Sequence, residues 1–282
     1  MRRFGLIGHP LGHSLSPQIH TRLFELSGET VDYQLYDIAP EELQEKCELL
    51  SSLDGFNITI PHKVSIIDYC SELSEGAQRY RSVNCVDNRS RSGYNTDVMG
   101  FTKSIEMMGA SLSSDVLLIG CGGVGRMMAI ETALSGGRLI IAALKSDEEL
   151  AQQAVREIKD KKADADVQVV FINNGALCPD DFGGEVPHID LLVNATPVGM
   201  HPKTDRMPCT PEVLEKVSCV FDAVYNPKET LLAKTAREKG AKAMTGMAML
   251  VLQAVAAHEI WDGASYNKED IDRLISDMEE LV

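Results

Sequence analysis

The sequence lacks the features of several protein classes. Its seven cysteines include no Cys-x-x-Cys pair, so neither a zinc site nor a disulfide framework is expected. No apolar run approaches the ~20 residues that cross a bilayer, and residues 1–10 carry two arginines without the apolar segment of a secretory signal. Basic residues are scarce: 27 lysines and arginines face 42 carboxylates, for a net charge of −15. We therefore expect a reduced, cytoplasmic protein with no nucleic-acid or membrane partner.

What the sequence does contain is a regular alternation of strand-like and helix-like segments. A chain of 282 residues, 44% of them apolar, is long enough for about two domains with a core each. The alternation predicts an α/β fold of two lobes with mostly parallel sheets. The predicted elements include helices over residues 17–26, 40–50, 99–108, 247–261 and 269–281, a helix that begins at Pro61, and strands over residues 4–8, 55–60 and 115–119.

A glycine-rich turn opens the second lobe. Residues 115–119 (DVLLI) read as a strand buried on both faces, and residues 120–125 (GCGGVG) follow directly before a helix. Glycines in a strand–turn–helix connection let backbone N–H groups approach a pyrophosphate at the positive end of the helix. The pattern favours a dinucleotide-binding Rossmann unit, and the alternative is a glycine-rich turn with no ligand.

The tip of the next predicted strand bears on the choice of cofactor. It reads ALKS over residues 143–146, with no acid before Asp147. An Asp or Glu at such a tip holds the ribose 2′-OH of NAD. A lysine and a hydroxyl suit a 2′-phosphate better, so Lys145 favours NADP. The alternative is a solvated lysine that ends the strand.

The first lobe carries a lysine and an aspartate that are candidates for proton transfer. In residues 57–63 (NITIPHK), alternation directs Asn57 and Thr59 to one face of a strand. Pro61 is predicted to begin a helix, which places Lys63 in its first turn, where the helix dipole disfavours an ammonium group. Asp97 stands just before the next predicted helix. Taken singly, Lys63 also reads as a surface residue and Asp97 as a helix N-cap.

Eight short motifs, in one order over nearly the whole chain, resemble those of the shikimate dehydrogenase family. They are SLS at 14–16, NITIPHK at 57–63, VNC at 83–85, NTD at 95–97, the glycine turn with Arg126, NAT at 194–196 followed by Gly199 and Met200, Tyr225, and GMAMLVLQ at 246–253. The resemblance implies an N-terminal α/β substrate domain, a Rossmann-type dinucleotide-binding domain, and C-terminal helices that return to the substrate lobe. We expect these parts to span residues 1–108, 109–245 and 246–282.

The resemblance also implies an activity and its residues. The family interconverts 3-dehydroshikimate and shikimate in the chorismate pathway of aromatic amino acid biosynthesis, with hydride from NADPH. Lys63 and Asp97 are the implied catalytic pair. Lys63 protonates the developing alkoxide, and Asp97 orients the lysine and the hydroxyl. The implied substrate-binding residues are Ser14, Ser16, Thr59, Asn84, Asp97, Tyr225 and Gln253. The implied cofactor-binding residues are Gly120, Gly122, Gly123, Val124, Gly125, Lys145, Asn194, Thr196, Gly246 and Met247.

Three departures from the family pattern leave alternatives open. Residues 143–146 replace the common Asn-Arg-Ser/Thr, Cys85 replaces a threonine, and Val98 replaces a glycine. The alternatives are NAD as cofactor, quinate as substrate, and a paralogue that binds shikimate but has lost strong cofactor binding. Ser16 favours shikimate, because quinate-preferring relatives often carry threonine there.

No metal site and no macromolecular partner are predicted. His9, His13 and His20 cluster in sequence, but no carboxylate or thiol near them has the spacing of a ligand set. The expected partner is a small-molecule substrate, and a monomer and a homodimer are both open.

Overall fold

The computed structural model describes residues 1–12 and 14–282, and it divides into two compact units. The first unit comprises Met1–Gly100 and Leu250–Met278, and the second comprises Phe101–Met249 and Glu279–Val282. The chain therefore re-enters the first unit near its C-terminus. The two-lobed α/β class is confirmed. The limits at residues 108 and 245 stay a prediction.

The described residues form the following strands and helices. The strands are β1 (Arg2–Gly8), β2 (Val31–Asp37), β3 (Gly55–Ile58), β4 (Glu72–Leu73), β5 (Cys85–Asp87), β6 (Ser92–Tyr94), β7 (Asp115–Ile119), β8 (Arg138–Leu144), β9 (Val167–Ile172), β10 (Ile189–Asn194), β11 (Val217–Asp222) and β12 (Lys242–Thr245). The α-helices are α1 (Ser16–Leu26), α2 (Cys47–Ser51), α3 (Glu75–Tyr80), α4 (Thr96–Met107), α5 (Gly123–Leu134), α6 (Glu148–Lys161), α7 (Pro211–Leu214), α8 (Leu231–Glu238), α9 (Met247–Asp262) and α10 (Lys268–Glu279). Short 3-10 helices lie at Pro40–Glu42, Ser65–Tyr69, Lys145–Asp147 and Pro179–Phe182. No helix within these described ranges is both long and apolar enough to cross a bilayer.

The sheet of the first unit is mixed. Its strands follow the order β2-β1-β3-β5-β6-β4. β1 is parallel to β2 and β3, whereas β5 is antiparallel to β3 and β6. The carboxyl ends of β1 and β3 therefore share one edge, where Thr59 N donates to Ile7 O at 2.9 Å. The loop that leads from β1 to α1 starts at the same edge.

The C-terminal part of α9 belongs to the core of the first unit. Trp261 is 2% exposed, packs on Phe4 and Phe24, and donates from Nε1 to Val86 O at 2.9 Å. A Cβ at Gly55 would lie 2.5 Å from Trp261 Nε1, so only glycine leaves room for the indole on β3.

The sheet of the second unit has doubly wound topology. Its strands follow the order β12-β11-β10-β7-β8-β9, and all the pairs are parallel. Strand order reverses between β7 and β10, which is the point where ligands bind in such sheets. The glycine turn, residues 120–122, leaves β7 at that point. The predicted strand over residues 115–119 is confirmed in its bounds.

Two helix predictions in the first unit are wrong, one in its extent and one altogether. The helix over residues 40–50 is interrupted: a backbone bond from Glu42 N to Ala39 O at 3.0 Å closes a 3-10 turn, and further turns follow over residues 43–46. Regular helix resumes only at α2. Pro61 likewise begins turns that lead into the 3-10 helix Ser65–Tyr69 and no α-helix.

The departure after Pro61 has a physical cause. The Lys63 carbonyl accepts the Val83 N–H at 2.8 Å from the neighbouring chain segment. The buried His62 ring bonds Ile38 O at 2.6 Å. These contacts take the backbone out of the α-helical path, so the dipole argument for Lys63 does not apply.

Candidate active site

Lys63 and Asp97 form the centre of a polar cluster in the first unit. Lys63 Nζ donates to Asp97 Oδ2 at 2.6 Å, and the two side chains are 23% and 16% exposed. Lys63 follows β3, and Asp97 lies in the first turn of α4, where the helix dipole favours a carboxylate. Both charges are thus partly shielded from water, which strengthens their interaction relative to a surface pair.

Two amides complete this cluster. Asn84 Nδ2 donates to Asp97 Oδ1 at 2.9 Å and contacts Gln253 Oε1 at 3.3 Å. Asn84 precedes β5, and Gln253 lies on α9. The structure therefore brings together Lys63, Asn84, Asp97 and Gln253 from four separate chain segments. Each is a side chain that the sequence singles out.

Further polar residues behind the cluster were missed by sequence reasoning. Tyr33 OH donates to Asn57 Oδ1 at 2.9 Å, and Asn57 Nδ2 contacts the Asn84 carbonyl at 3.3 Å. Thr96 is fully buried and contacts Asn84 and Gln253. The signals were the position of Asn57 and Thr96 inside two of the motifs and, for Asn57, its predicted place on one strand face with Thr59.

Thr59 lies at the shared edge of β1 and β3, and the two predicted serines lie at the start of α1. Ser16 begins α1, and its N–H donates to Ser14 Oγ at 3.2 Å. Ser16 therefore belongs to the helix, one residue before its predicted start at residue 17. Thr59 is half-buried directly after β3, with Cγ2 2.4 Å from where a Cβ at Gly8 would stand.

The glycine turn of the second unit fits a dinucleotide pyrophosphate. Gly120 has φ +96°, which only glycine adopts readily. A Cβ at Gly125 would lie 2.3 Å from Gly120 O, so glycine at this position allows close packing of α5 on the turn. By contrast, a Cβ at Gly122 or Gly123 would meet no atom of the described residues within 4 Å. The side of the turn on which a side chain would stand at these two glycines is therefore open, which leaves room for a ligand near the start of α5.

A second loop packs against the glycine turn. A Cβ at Gly120 would lie 2.6 Å from Thr196 Cγ2. Asn194 is fully buried; its Oδ1 accepts from Thr196 N and Oγ1 at 3.0 and 2.6 Å, and its Nδ2 donates to Asp222 Oδ1 at 2.9 Å. Burial raises the pKa of Asp222 to about 6, although bonds from Thr230 and Val224 N oppose the shift. The Asn194 side chain therefore shapes this loop from within.

Lys145 lies just beyond β8, close to the glycine turn. Cys121 Sγ is 3.9 Å from Asp147 O, which ties the 3-10 helix that contains Lys145 to that turn. Lys145 Nζ is 2.7 Å from Glu148 Oε2 and 4.4 Å from the centre of the Phe171 ring. Lys145 is the one basic residue predicted to bind the 2′-phosphate of NADP, and its ammonium group already pairs with the Glu148 carboxylate.

The remaining predicted residues lie after β11 and at the start of α9. Tyr225 is half-buried, and burial raises the pKa of its phenol, which keeps it a hydrogen-bond donor. A Cβ at Gly246 would lie 2.2 Å from Ala223 O, so the two backbones touch. The Met247 side chain is fully buried.

The histidines and cysteines have structural contacts. His9 bonds Asp37 at 2.7 Å, His20 bonds His258 at 3.1 Å, and His13 lies outside the described residues. Residues 1–12 and 14–282 contain no group of three His, Cys, Asp or Glu side chains that could hold a metal ion. Cys85 and Cys121 are buried, and burial raises the pKa of both thiols.

The family model and the curated relatives agree on one family. Residues 6–86 match the family described as shikimate dehydrogenase substrate binding domain. A curated relative from Caldanaerobacter subterraneus subsp. tengcongensis, named shikimate dehydrogenase (NADP(+)), is 37% identical over 94% of this chain and 93% of its own.

Solved structures extend the likeness to the fold. The shikimate 5-dehydrogenase of Thermus thermophilus, in complex with NADP(H) and shikimate, has a TM-score of 0.82 and 27% identity, covering 98% of this chain and 99% of its own. The enzyme of Listeria monocytogenes, in complex with shikimate and NAD, has a TM-score of 0.85 and 28% identity, covering 98% and 96%.

Proposed function

The chain belongs to the shikimate dehydrogenase family, and we propose that it interconverts 3-dehydroshikimate and shikimate with NADP(H). It is an oxidoreductase, as are its curated relatives. The observation that most supports the proposed chemistry is the 2.6 Å contact of Lys63 Nζ with Asp97 Oδ2, flanked by the amides of Asn84 and Gln253. An amine, a carboxylate and two amides suit a small ring whose ketone becomes one of several hydroxyls.

Lys63 is the proposed proton donor in ketone reduction and the proposed acceptor in alcohol oxidation. Its Nζ donates a proton to the oxygen that becomes the hydroxyl, while Asp97 Oδ2 holds the ammonium and fixes its direction. Asp97 Oδ1 is in turn held by Asn84 Nδ2. NADPH, when bound, supplies the hydride that reduces the carbonyl carbon.

The substrate residues divide by the groups that they recognise. Ser14, Ser16 and Tyr225 are hydroxyl donors, proposed for the substrate carboxylate. Thr59, Asn84, Asp97 and Gln253 are proposed for the ring hydroxyls. Because a site built to pair several hydroxyls leaves its own polar groups unpaired with an analogue that lacks one, we expect strong discrimination against deoxygenated analogues.

The cofactor residues are proposed from the second unit. Gly120, Gly122, Gly123, Val124 and Gly125 would hold the pyrophosphate through the start of α5. Asn194 and Thr196 would support this site by shaping the neighbouring loop, since the Asn194 side chain is buried. Lys145 would meet the 2′-phosphate, and Gly246 and Met247 the nicotinamide, Met247 through its backbone because its side chain is buried.

The proposed assignment of the chain follows from these roles. Residues 1–108 would form the substrate-binding catalytic domain, and residues 109–245 the dinucleotide-binding domain. Residues 246–282 would be C-terminal helices that pack on the substrate domain. The match of residues 6–86 to a substrate binding domain supports the first of these assignments.

One observation favours NAD(H) as a second cofactor. Lys145 pairs with Glu148 at 2.7 Å, so a 2′-phosphate must compete with a carboxylate for the only predicted basic group. The ribose 2′-OH of NAD faces no such competition. The sequence of the Listeria monocytogenes enzyme, which was crystallised with NAD, is similar at 28% identity.

An activity assay with four combinations tests the proposal. Purified protein is mixed with shikimate or quinate together with NADP+ or NAD+, and the absorbance of the reduced cofactor is followed. We expect the highest kcat/KM with shikimate and NADP+. Absence of turnover in every combination, together with measurable shikimate binding by calorimetry, would overturn the enzymatic proposal in favour of a binding protein.

A further inference from the structure

Thr96, the first residue of α4, touches two of the proposed substrate-binding amides. Its backbone N–H donates to Asn84 Oδ1 at 2.6 Å. Its hydroxyl lies 3.2 Å from Asn84 Oδ1 and 3.2 Å from Gln253 Oε1. The side chain is 0% exposed, so no water competes for these contacts. An N–H in the first turn of a helix has no acceptor within the helix, and here the Asn84 side chain supplies one.

These contacts decide which way the Asn84 amide faces. With its oxygen towards Thr96, the Asn84 amide directs Nδ2 at Asp97 Oδ1, 2.9 Å away. A rotation of the amide by half a turn would set an NH2 group against the Thr96 N–H and a carbonyl oxygen against the Asp97 carboxylate. Both contacts would then be repulsive, so Thr96 selects the orientation that holds Asp97.

The Thr96 hydroxyl has a single proton. Because the Thr96 backbone N–H already donates to Asn84 Oδ1, that proton is available for Gln253 Oε1. Because Gln253 Oε1 accepts from Thr96 and Asn84, its Nε2 must face the other way, where one proton goes to Leu250 O at 3.1 Å. The second proton is then left to donate to a ligand. Thr96 thus lies behind two side chains that are proposed to touch substrate.

We propose that Thr96 is a positioning residue that sets the amide orientations of Asn84 and Gln253, and through Asn84 the carboxylate that holds Lys63. The inference rests on the proposed function for its kinetic consequence, but the amide orientations do not depend on catalysis. Thr96 is not proposed to contact the ring itself.

Three variants test the inference. Thr96→Val keeps the shape and removes the hydroxyl, Thr96→Ser keeps the hydroxyl, and Thr132→Val is the matched control. Thr132 is 1% exposed, and its Oγ1 donates only within α5, to Met128 O at 2.9 Å. We expect Thr96→Val to lower kcat about 10-fold and to raise the KM for shikimate, with the affinity for NADP+ unchanged. Thr96→Ser and Thr132→Val should stay within about 2-fold of the unsubstituted protein in kcat and KM.

A second readout is independent of activity. In ¹⁵N-edited NMR spectra, Thr96→Val should shift the side-chain amide resonances of Gln253, which loses the hydroxyl, more than those of Asn84, which keeps the Thr96 backbone N–H. Thr132→Val should leave both unchanged. If Thr96→Val does not fold, Thr96→Ala provides the same two measurements.

The outcomes separate this inference from the proposed function. Unchanged amide resonances, or a folded Thr96→Val with unaltered kinetics, would overturn the positioning role. An equal loss in Thr96→Ser would also overturn it, since packing of the methyl group would then be responsible. The unsubstituted protein could also be inactive while the amide resonances still shift in Thr96→Val. That result would overturn the proposed function and support the positioning role.

Discussion

His20 Nδ1 and His258 Nε2 lie 3.1 Å apart, and both imidazoles are fully buried. The Tyr266 hydroxyl donates to Leu23 O at 3.1 Å, so it receives the bond from His258 Nδ1 at 2.9 Å. His258 Nε2 therefore carries the lone pair that accepts the His20 Nδ1–H. This direction makes both rings neutral and leaves His20 Nε2 with no partner among the described residues.

The histidine pair predicts acid-sensitive folding. Burial lowers the pKa of His20, and lowers that of His258 to about 3. Below about pH 6.5 the unfolded chain binds protons that the folded chain excludes, so the free energy of unfolding falls as the pH drops. The slope reaches about 1.4 kcal/mol per pH unit for each histidine. Between pH 7 and pH 5, the free energy of unfolding measured with urea should fall less in the double variant His20→Phe/His258→Phe than in the unsubstituted protein.

The control for this prediction is His188→Gln, which removes a histidine that is 66% exposed. Asp222, whose pKa is raised to about 6, acts with the opposite sign between about pH 4 and pH 6 in every variant. The difference between variants is therefore the quantity to compare. A loss of stability as large in the double variant as in His188→Gln would contradict the prediction.

Removing the amine at the centre of the cluster should abolish most of the turnover. We expect Lys63→Ala to lower kcat by about 10²- to 10⁴-fold, the usual contribution of a general acid, with the fold retained. Asp97→Asn should give a smaller loss, because the amide still contacts Lys63 but lacks the charge that orients it. Steady-state kinetics with shikimate provide the measurement, and Lys203→Ala, at an exposed position, is the control. Near-normal kcat in Lys63→Ala would remove the lysine from its proposed role.

The glycines of the turn should separate folding from cofactor binding. Gly125→Ala sets a methyl group 2.3 Å from Gly120 O, and we expect a loss of about 1–3 kcal/mol in the free energy of unfolding. This net loss already includes the gain of about 1 kcal/mol that alanine usually brings within a helix. Gly122→Ala meets no described atom within 4 Å, so its melting temperature should be unchanged while its Kd for NADP+ rises. Thermal unfolding and calorimetry test the pair, and equal behaviour of the two variants would refute the distinction.

The contact between Lys145 and Glu148 should set how strongly the 2′-phosphate is preferred. Glu148→Gln frees the ammonium, so we expect tighter binding of NADP+ and no change for NAD+. Lys145→Ala should weaken NADP+ alone. Glu149→Gln, which makes the same charge change in the first turn of the same helix, is the matched control. Calorimetric Kd values decide the matter: a ratio of NADP+ to NAD+ affinity that is the same in Glu148→Gln and Glu149→Gln would contradict the prediction.

The sequence predicts the second unit best where one signal dominates. A continuous apolar run followed by glycines predicts β7 and the turn because a parallel strand buried on both faces has little alternative. The short edge strand β12 and helix α8 were missed, since neither carries a long periodic pattern. The motifs also predict that Lys63 and Asp97 belong to one site, and the structure sets them 2.6 Å apart although they are 34 residues apart in sequence.

Other features depend on contacts that no local pattern contains. The turn after Pro61 is set by Val83 and Ile38, which bond the backbone and side chains of residues 62–63 from elsewhere in the unit. Thr96 depends on an amide 12 residues upstream. The secondary-structure propensities of Lys63 and Thr96 predict neither interaction, because both interactions depend on which chain segments pack together.

Trp261 is the only tryptophan of the chain, and its indole lies against Gly55 in the interior. Its fluorescence therefore reports on one event, the packing of α9 on β3. A red shift of the emission maximum during denaturation marks the moment at which water reaches this position. Stopped-flow records of that signal would time when the two ends of the polypeptide come together during refolding.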